Sequence, residues 1–299
     1  MLDFITEPWS YPFMQRAAIE VVIVGTICGF VGCFVVLRGL SFIGDALAHA
    51  VFPGVVLSYM AGRSIIIGAF IFGLLTAVGI GVLSRSRRVS EDAAIGVIFA
   101  AFFALGVVLI SRQSGFKRDL ASLLFGNVLG ISQTDIVVTA VVAIVVAAIL
   151  FALLKELTLV AFDATMARSL GYPVFLLDTL LLLLVSATIV VSLQTVGNIL
   201  ILALIVTPPA TARLLTDRLG RMMVLSVGVA IASGLGGLLI SYHADTAAGG
   251  TIVLTATAAF LAALIAAPNH GLVSGWRQGR RGDHHAHHYH PVDESAHSH

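Results

Sequence analysis

Residues 41–59 read SFIGDALAHAVFPGVVLSY, and this apolar run contains an acid and an imidazole, Asp45 and His49. Spaced i to i+4, the two share one face of a helix. A carboxylate oxygen and a neutral imidazole are ligands suited to Mn2+, Fe2+ or Zn2+. Pro53 and Gly54 follow directly. Proline lacks the N–H that would bond the carbonyl of residue 49, so it frees that oxygen and permits a kink, a hinge at Pro53 and Gly54. Ionisable groups in such a run are costly and usually face a cavity or a partner. On these residues alone two chemistries stay open. The pair is half of a metal site that needs further ligands, or it bonds to itself or to neighbouring serines and pins helices together.

The elements that must carry this pair are membrane helices. The 299 residues are 58% hydrophobic and 11% charged, with a mean hydropathy of +1.01. That leaves too little polar surface for a water-soluble domain. Repeated apolar runs of about 18 or more residues predict a polytopic all-α membrane protein. A membrane β-barrel would show alternating segments of ~10 residues instead. The expected spans are 17–37, 41–60, 64–83, 93–111, 134–154, 174–193, 196–212, 222–241 and 250–267. The pair Pro208-Pro209 interrupts the seventh, so the expectation is eight or nine helices. Gly-rich stretches such as GTICGFVG and GLGGLLI suit close helix packing. Cys28 and Cys33 point to different faces and read as packing residues. The formal charge of +1 gives no reason to expect nucleic acid as a partner.

Charge sets the orientation. With nine spans, one side receives Arg38, Arg85, Arg87, Arg88, Lys155, Arg168, Arg213, Arg218, Arg221, Arg277, Arg280 and Arg281, and the other Arg16, Arg63, Arg112, Lys117 and Arg118. The positive-inside rule then puts the N-terminus outside and the C-terminus in the cytoplasm. On that orientation His49 lies about 12 Å along its helix from the cytoplasmic side, near the midplane.

Three domains follow. Residues 1–16 lack the basic region of a signal peptide, and Trp9, Tyr11 and Phe13 suit an interfacial segment. Residues 17–275 are the transmembrane unit. Residues 276–299 hold seven of the ten histidines and no apolar run, and read as a disordered cytoplasmic tail. Its His284, His285, His287, His288 and His290 read either as an imidazole cluster that binds Zn2+ or Ni2+ or as a low-complexity tail with no role.

Beyond the acid–imidazole pair, the chain resembles a known family, the manganese/zinc/iron-type permease subunits of bacterial ABC importers. The likeness starts in VLRGLSFIGDALAHAVFPGVVLSY. It continues through EDAAIGVIFAAFFALGVVLIS, LLFGNVLG, AFDATMARSLGYP, QTVGNILILALIVTPPATARLL and GGLLISYHADTAAGGTIVL. It runs in order over residues 12 to 267. The resemblance implies the all-helical homodimeric architecture of the vitamin B12 and siderophore permeases. It also implies a metal path through Asp45 and His49, and import that depends on an extracytoplasmic metal-binding protein and two ATP-binding subunits. HAVFPG and PFMQRA are more similar to the manganese branch, so Mn2+ is favoured and Zn2+ comes next. The location implied is the bacterial cytoplasmic membrane, among its lipids.

Local chemistry accompanies the likeness. In AFDATMARSLGYP, Asp163 can cap a short helix, Gly171 can end it and Pro173 can start the return. By resemblance this segment, with Asp163, Ala167 and Gly171, is the coupling helix that fits the ATPase. The chain has no phosphate-binding G-x-x-x-x-G-K-[ST] loop, so it is expected to be no enzyme, to carry no cofactor, and to leave ATP to its partner. His243 and Asp245, in SYHADTAAGG, read either as an outer entry point for a cation or as a loop that caps helix ends. Asp178 reads as the remaining acid inside a span, one that snorkels or pairs with a neighbouring helix. A stand-alone proton-coupled metal transporter is the alternative function. It would show inverted repeats within one chain, and no convincing repeat is visible.

Overall fold

The computed structural model describes residues 6–84, 89–111 and 130–267, and every regular element among them is helical. A short 3₁₀ turn at Pro8–Ser10 leads into α1 (Pro12–Leu37). Then come α2 (Ile43–Ala50), α3 (Phe52–Met60), α4 (Ile65–Ser84), α5 (Glu91–Ser111) and α6 (Gln133–Ala152). Two short helices, α7 (Leu154–Phe162) and α8 (Ala164–Ser169), precede α9 (Val174–Val196), α10 (Asn198–Leu215), α11 (Leu219–Ala244) and α12 (Ala248–Ala266). Taking α2 and α3 together, nine segments of the described chain are long and apolar enough to cross a membrane. The histidine cluster and Arg277, Arg280 and Arg281 lie outside the described residues.

The first helix starts at Pro12, inside the segment expected to lie along the interface. Proline is tolerated in a first helical turn because the N–H it lacks would be unbonded there anyway. The aromatic residues expected at an interface gather at this end. Tyr11 stacks obliquely on Phe13 and on Tyr242 of α11, with ring centroids 5.7 and 6.0 Å apart. At the opposite end of α1, Arg38 forms an ion pair with Asp178 of α9 at 2.5 Å. Asp178 therefore takes the structural role expected of it, neutralised by a neighbouring element.

The helices α1, α10, α11 and α12 form a tightly packed block. Glycines let their backbones meet. A Cβ at Gly29 would press on the backbone of Val227, and one at Gly237 on that of Ile252. Gly29 O also accepts a hydrogen bond from Ser226 Oγ at 3.0 Å, and Cys33 Sγ lies 3.1 Å from the same oxygen. Cys28 and Cys33 are buried and unbridged, as packing residues should be.

The proline pair does not end the seventh span. Helix α10 runs unbroken through Pro208 and Pro209. Pro209 removes the donor for the carbonyl of Ile205. A Cβ at Gly32 of α1 would collide with that same oxygen, so the glycine presents only its Cα–H groups, weak donors, to the freed carbonyl. In a bilayer a neighbouring helix has to satisfy such a group, because no water can. Because α10 is one continuous helix, the candidate spans among the described residues number nine rather than eight.

The other half is looser. Helix α9 is largely buried and contacts α4 and α6, while α5 covers α2, α3 and α4 and shows most of its own surface. The second span is two helices, interrupted at Val51. Pro53 stands in the first turn of α3, so the carbonyl of His49 loses its usual donor, as the sequence predicts. Gly54 serves packing: a Cβ there would strike the backbone of Gly68 in α4. Gly106 of α5 likewise leaves room for the Phe52 ring and the Pro53 nitrogen.

Candidate metal-path site

Asp45 occupies the first turn of α2 and His49 the last. Their i, i+4 spacing brings His49 Nδ1 to 3.3 Å from Asp45 Oδ1 and 3.0 Å from the Asp45 backbone carbonyl. If Nδ1 carries the ring proton, it donates to those oxygens and the other nitrogen, Nε2, keeps its lone pair free for a ligand. The Asp45 side chain is 52% exposed and that of His49 27%. Of the two structural options read from the sequence, bonding within the pair is present, and bonding to a serine is not among the described contacts.

Aromatic rings fix the imidazole from the side. Phe99 and Phe103 of α5 each meet it edge to face, with centroids 5.8 and 5.5 Å away, and stack on each other at 5.9 Å. The pair sits between two cavities. One, of about 410 Å3, is lined by Asp45, Asp92, Phe42 and Phe99. The other, of about 350 Å3, is lined by His49, Phe52, Phe103 and Asn198. A carboxylate thus opens to one space and an imidazole to the other, one helical turn apart. Among the described residues no cluster of three or more His, Cys, Asp or Glu side chains could hold a metal within one chain. A single copy supplies one acid and one imidazole.

The remaining candidates lie apart from this pair. Asp163 caps α8 with Oδ1, which accepts from the N–H groups of Thr165 at 3.0 Å and Met166 at 2.8 Å. Gly171 ends the helix at φ 84°, and the Tyr172 N–H returns to the Ala167 carbonyl at 3.1 Å. Ala167 is fully buried, while Met166, Leu170 and Phe162 project an apolar surface outward. Asp245 caps α11 in the left-handed conformation (φ 50°, ψ 48°), which an aspartate accepts more readily than most residues. His243 packs edge-on against Tyr242 at 5.2 Å. Pro53 and Gly54 stand at the broken helix just past His49.

Three polar groups escaped the sequence reading. Glu20 is a further acid inside a span, besides Asp45 and Asp178, and is fully buried in α1. The hydroxyls of Thr139 in α6 and Thr195 in α9 interact with its carboxyl group, though without the geometry of a full hydrogen bond. An acid within AAIEVVIVG was the available signal. Asp92 lies within the motif EDAAIG, but only packing shows that it shares a cavity with Asp45. Asn198 follows a glycine in TVGNIL, and nothing in that stretch shows that it is buried beside a histidine.

Comparison with known proteins agrees with the fold. Residues 10–267 match the model of the ABC 3 transport family. The chain is 44% identical over 278 residues to the manganese transport system membrane protein MntC of Halalkalibacterium halodurans, covering 93% of this chain and 95% of the other. It is 39% identical to the chelated iron transport system membrane protein YfeC of Yersinia pestis, covering 92% and 93%. Among solved structures, PsaBC from Streptococcus pneumoniae in complex with Fab superposes with a TM-score of 0.80 at 37% identity, covering 93% of this chain and 99% of that one. The chain therefore belongs to the ABC 3 transport family and is a multi-span membrane permease of the ABC metal importers.

Proposed function

We propose that this chain is the permease subunit of a binding-protein-dependent ABC importer that carries a divalent transition metal, Mn2+ in preference to Zn2+, across the bacterial cytoplasmic membrane. The observation that carries the reading is the partly exposed Asp45–His49 pair, held between two cavities beside a broken helix. Charge orientation puts the cavity with Asp45 and Asp92 on the cytoplasmic side, where two acids would draw a cation inward. One chain offers too few ligands. A second copy related by a two-fold axis would face an identical pair, giving two carboxylates and two imidazoles, enough to replace most of an ion's hydration shell. Manganese transport by similar chains supports Mn2+, and the iron-transport relatives keep Fe2+ within the same ligand chemistry.

The cytoplasmic docking element is α8. Its caps hold six residues rigid, and its exposed Met166 and Leu170 suit a groove on an ATP-binding subunit, one for each copy of the permease. At the other face, the end of α11, with His243 in its last turn and Asp245 as its cap, would receive the metal-binding protein. The histidine cluster of the tail would bind released metal in the cytoplasm. Uptake of Mn2+ per folded dimer tests the reading. Asp45→Asn keeps shape and removes the anion, so uptake should fall at least about 100-fold while expression and ATPase assembly persist. His49→Ala should do the same. Normal uptake per dimer in Asp45→Asn would end the metal-path assignment.

A further inference from the structure

The chamber beside His49 is walled by apolar side chains, with Val51, Phe52, Val55 and Phe103 on one side and Leu193 on the other. Among the described residues that line it, only His49 and Asn198 carry polar side chains. Asn198 opens α10, just after Gly197 reverses the chain at φ 80°. It is 5% exposed, and its Oδ1 has no hydrogen-bond partner. Burying a carboxamide oxygen without a partner is unfavourable, so its retention calls for a reason. The usual local explanation fails, because the start of α10 has no side-chain cap.

We infer that Asn198 is the oxygen ligand that an ion meets in the same chamber as His49, and that it biases the path toward Mn2+. This rests on the proposed metal path. An amide oxygen is neutral and hard. Such oxygens suit Mn2+, whereas Zn2+ gains more from nitrogen and sulfur. Being neutral, it can help remove water from an ion without trapping it, which conduction requires. Rotation about the last side-chain bond exchanges oxygen and amide nitrogen with little change of shape. The residue can therefore present either its oxygen or its N–H groups to the chamber it shares with His49.

The test uses the complete importer in cells lacking their own manganese uptake, with uptake counted per folded permease and Mn2+ and Zn2+ supplied separately and in competition. Asn198→Ala should lower Mn2+ uptake about tenfold and Zn2+ uptake less. Asn198→His should raise the ratio of Zn2+ to Mn2+ by a similar factor. Asn198→Asp keeps the shape and adds a charge, so it should lower both KM and the maximal rate for Mn2+. It also covers the case in which the alanine variant does not fold. Unchanged KM, rate and ion ratio in the aspartate variant, or parallel loss of both ions in the other two, would overturn the inference. Asp45→Asn in the same assay separates the two claims. Loss of uptake there with normal Asn198 variants removes only the role of Asn198, whereas retained uptake removes the path itself.

Discussion

The block of α1, α10, α11 and α12 and the wall of α2, α3 and α5 have much the same apolar composition and opposite mechanics. In the block, glycines bring backbones together, and a serine and a cysteine spend their hydrogen atoms on one glycine carbonyl. The wall also has such a contact, Gly54 against Gly68 of α4, but it is interrupted at Val51, carries an acid and an imidazole, and packs phenyl rings beside two cavities where α2 and α3 meet α5. Lipid supplies no hydrophobic drive between helices, so tightness has to come from shape. Where small residues face small residues the backbones close up. Where phenyl rings stand between helices, cavities remain beside them, and the proposed ion path runs there.

Four substitutions break or sharpen this contrast. Gly32→Leu should have the largest effect, because its Cβ would enter the carbonyl of Ile205 and neither backbone can yield. A loss above about 3 kcal/mol, the upper end for overpacking, would appear as collapse of folded yield in detergent. Arg38→Ala comes next. It leaves Asp178 unpaired where the block meets α9, and since both side chains are partly solvated the cost should be about 1–2 kcal/mol, read as a lower thermal midpoint. Pro53→Ala is smaller in stability and different in kind. It returns a donor to the His49 carbonyl, so folded yield should hold or rise by up to about 1 kcal/mol, while Mn2+ uptake per dimer falls if the break is a working hinge. Unaltered uptake would make the break a packing feature. Gly96→Ala, in the wall of the acidic cavity, meets nothing within 4 Å and should change stability by less than about 0.5 kcal/mol. A large loss there would show the wall to be as tightly packed as the block.

The short capped helix α8 separates local from distant information. Asp163 and Gly171 act on backbone groups two to four residues away, so their capping roles were readable from eleven residues of sequence. The proline pair read less well. A missing donor is a local fact, but what compensates it is Gly32, far away in the chain, and no local pattern predicts that meeting. Glu20 and Asn198 were missed for a related reason. Each is a single polar residue in an apolar stretch, and its significance depends on which helices close around it.

The amino-acid sequence by itself determined the membrane spans, the Asp45–His49 face, the donor that Pro53 withholds from the His49 carbonyl and the caps of α8. These depend on composition, on the 3.6-residue repeat and on hydrogen bonds within one or two turns. Only the tertiary structure decided that α10 passes through two prolines, that Asp178 belongs to Arg38, and that Asn198 shares a chamber with His49. In an all-apolar bundle every helix face can be buried, so periodicity does not say which face meets which. Glycine shape and the few polar groups make that choice, and they act across distances in sequence that local rules do not reach.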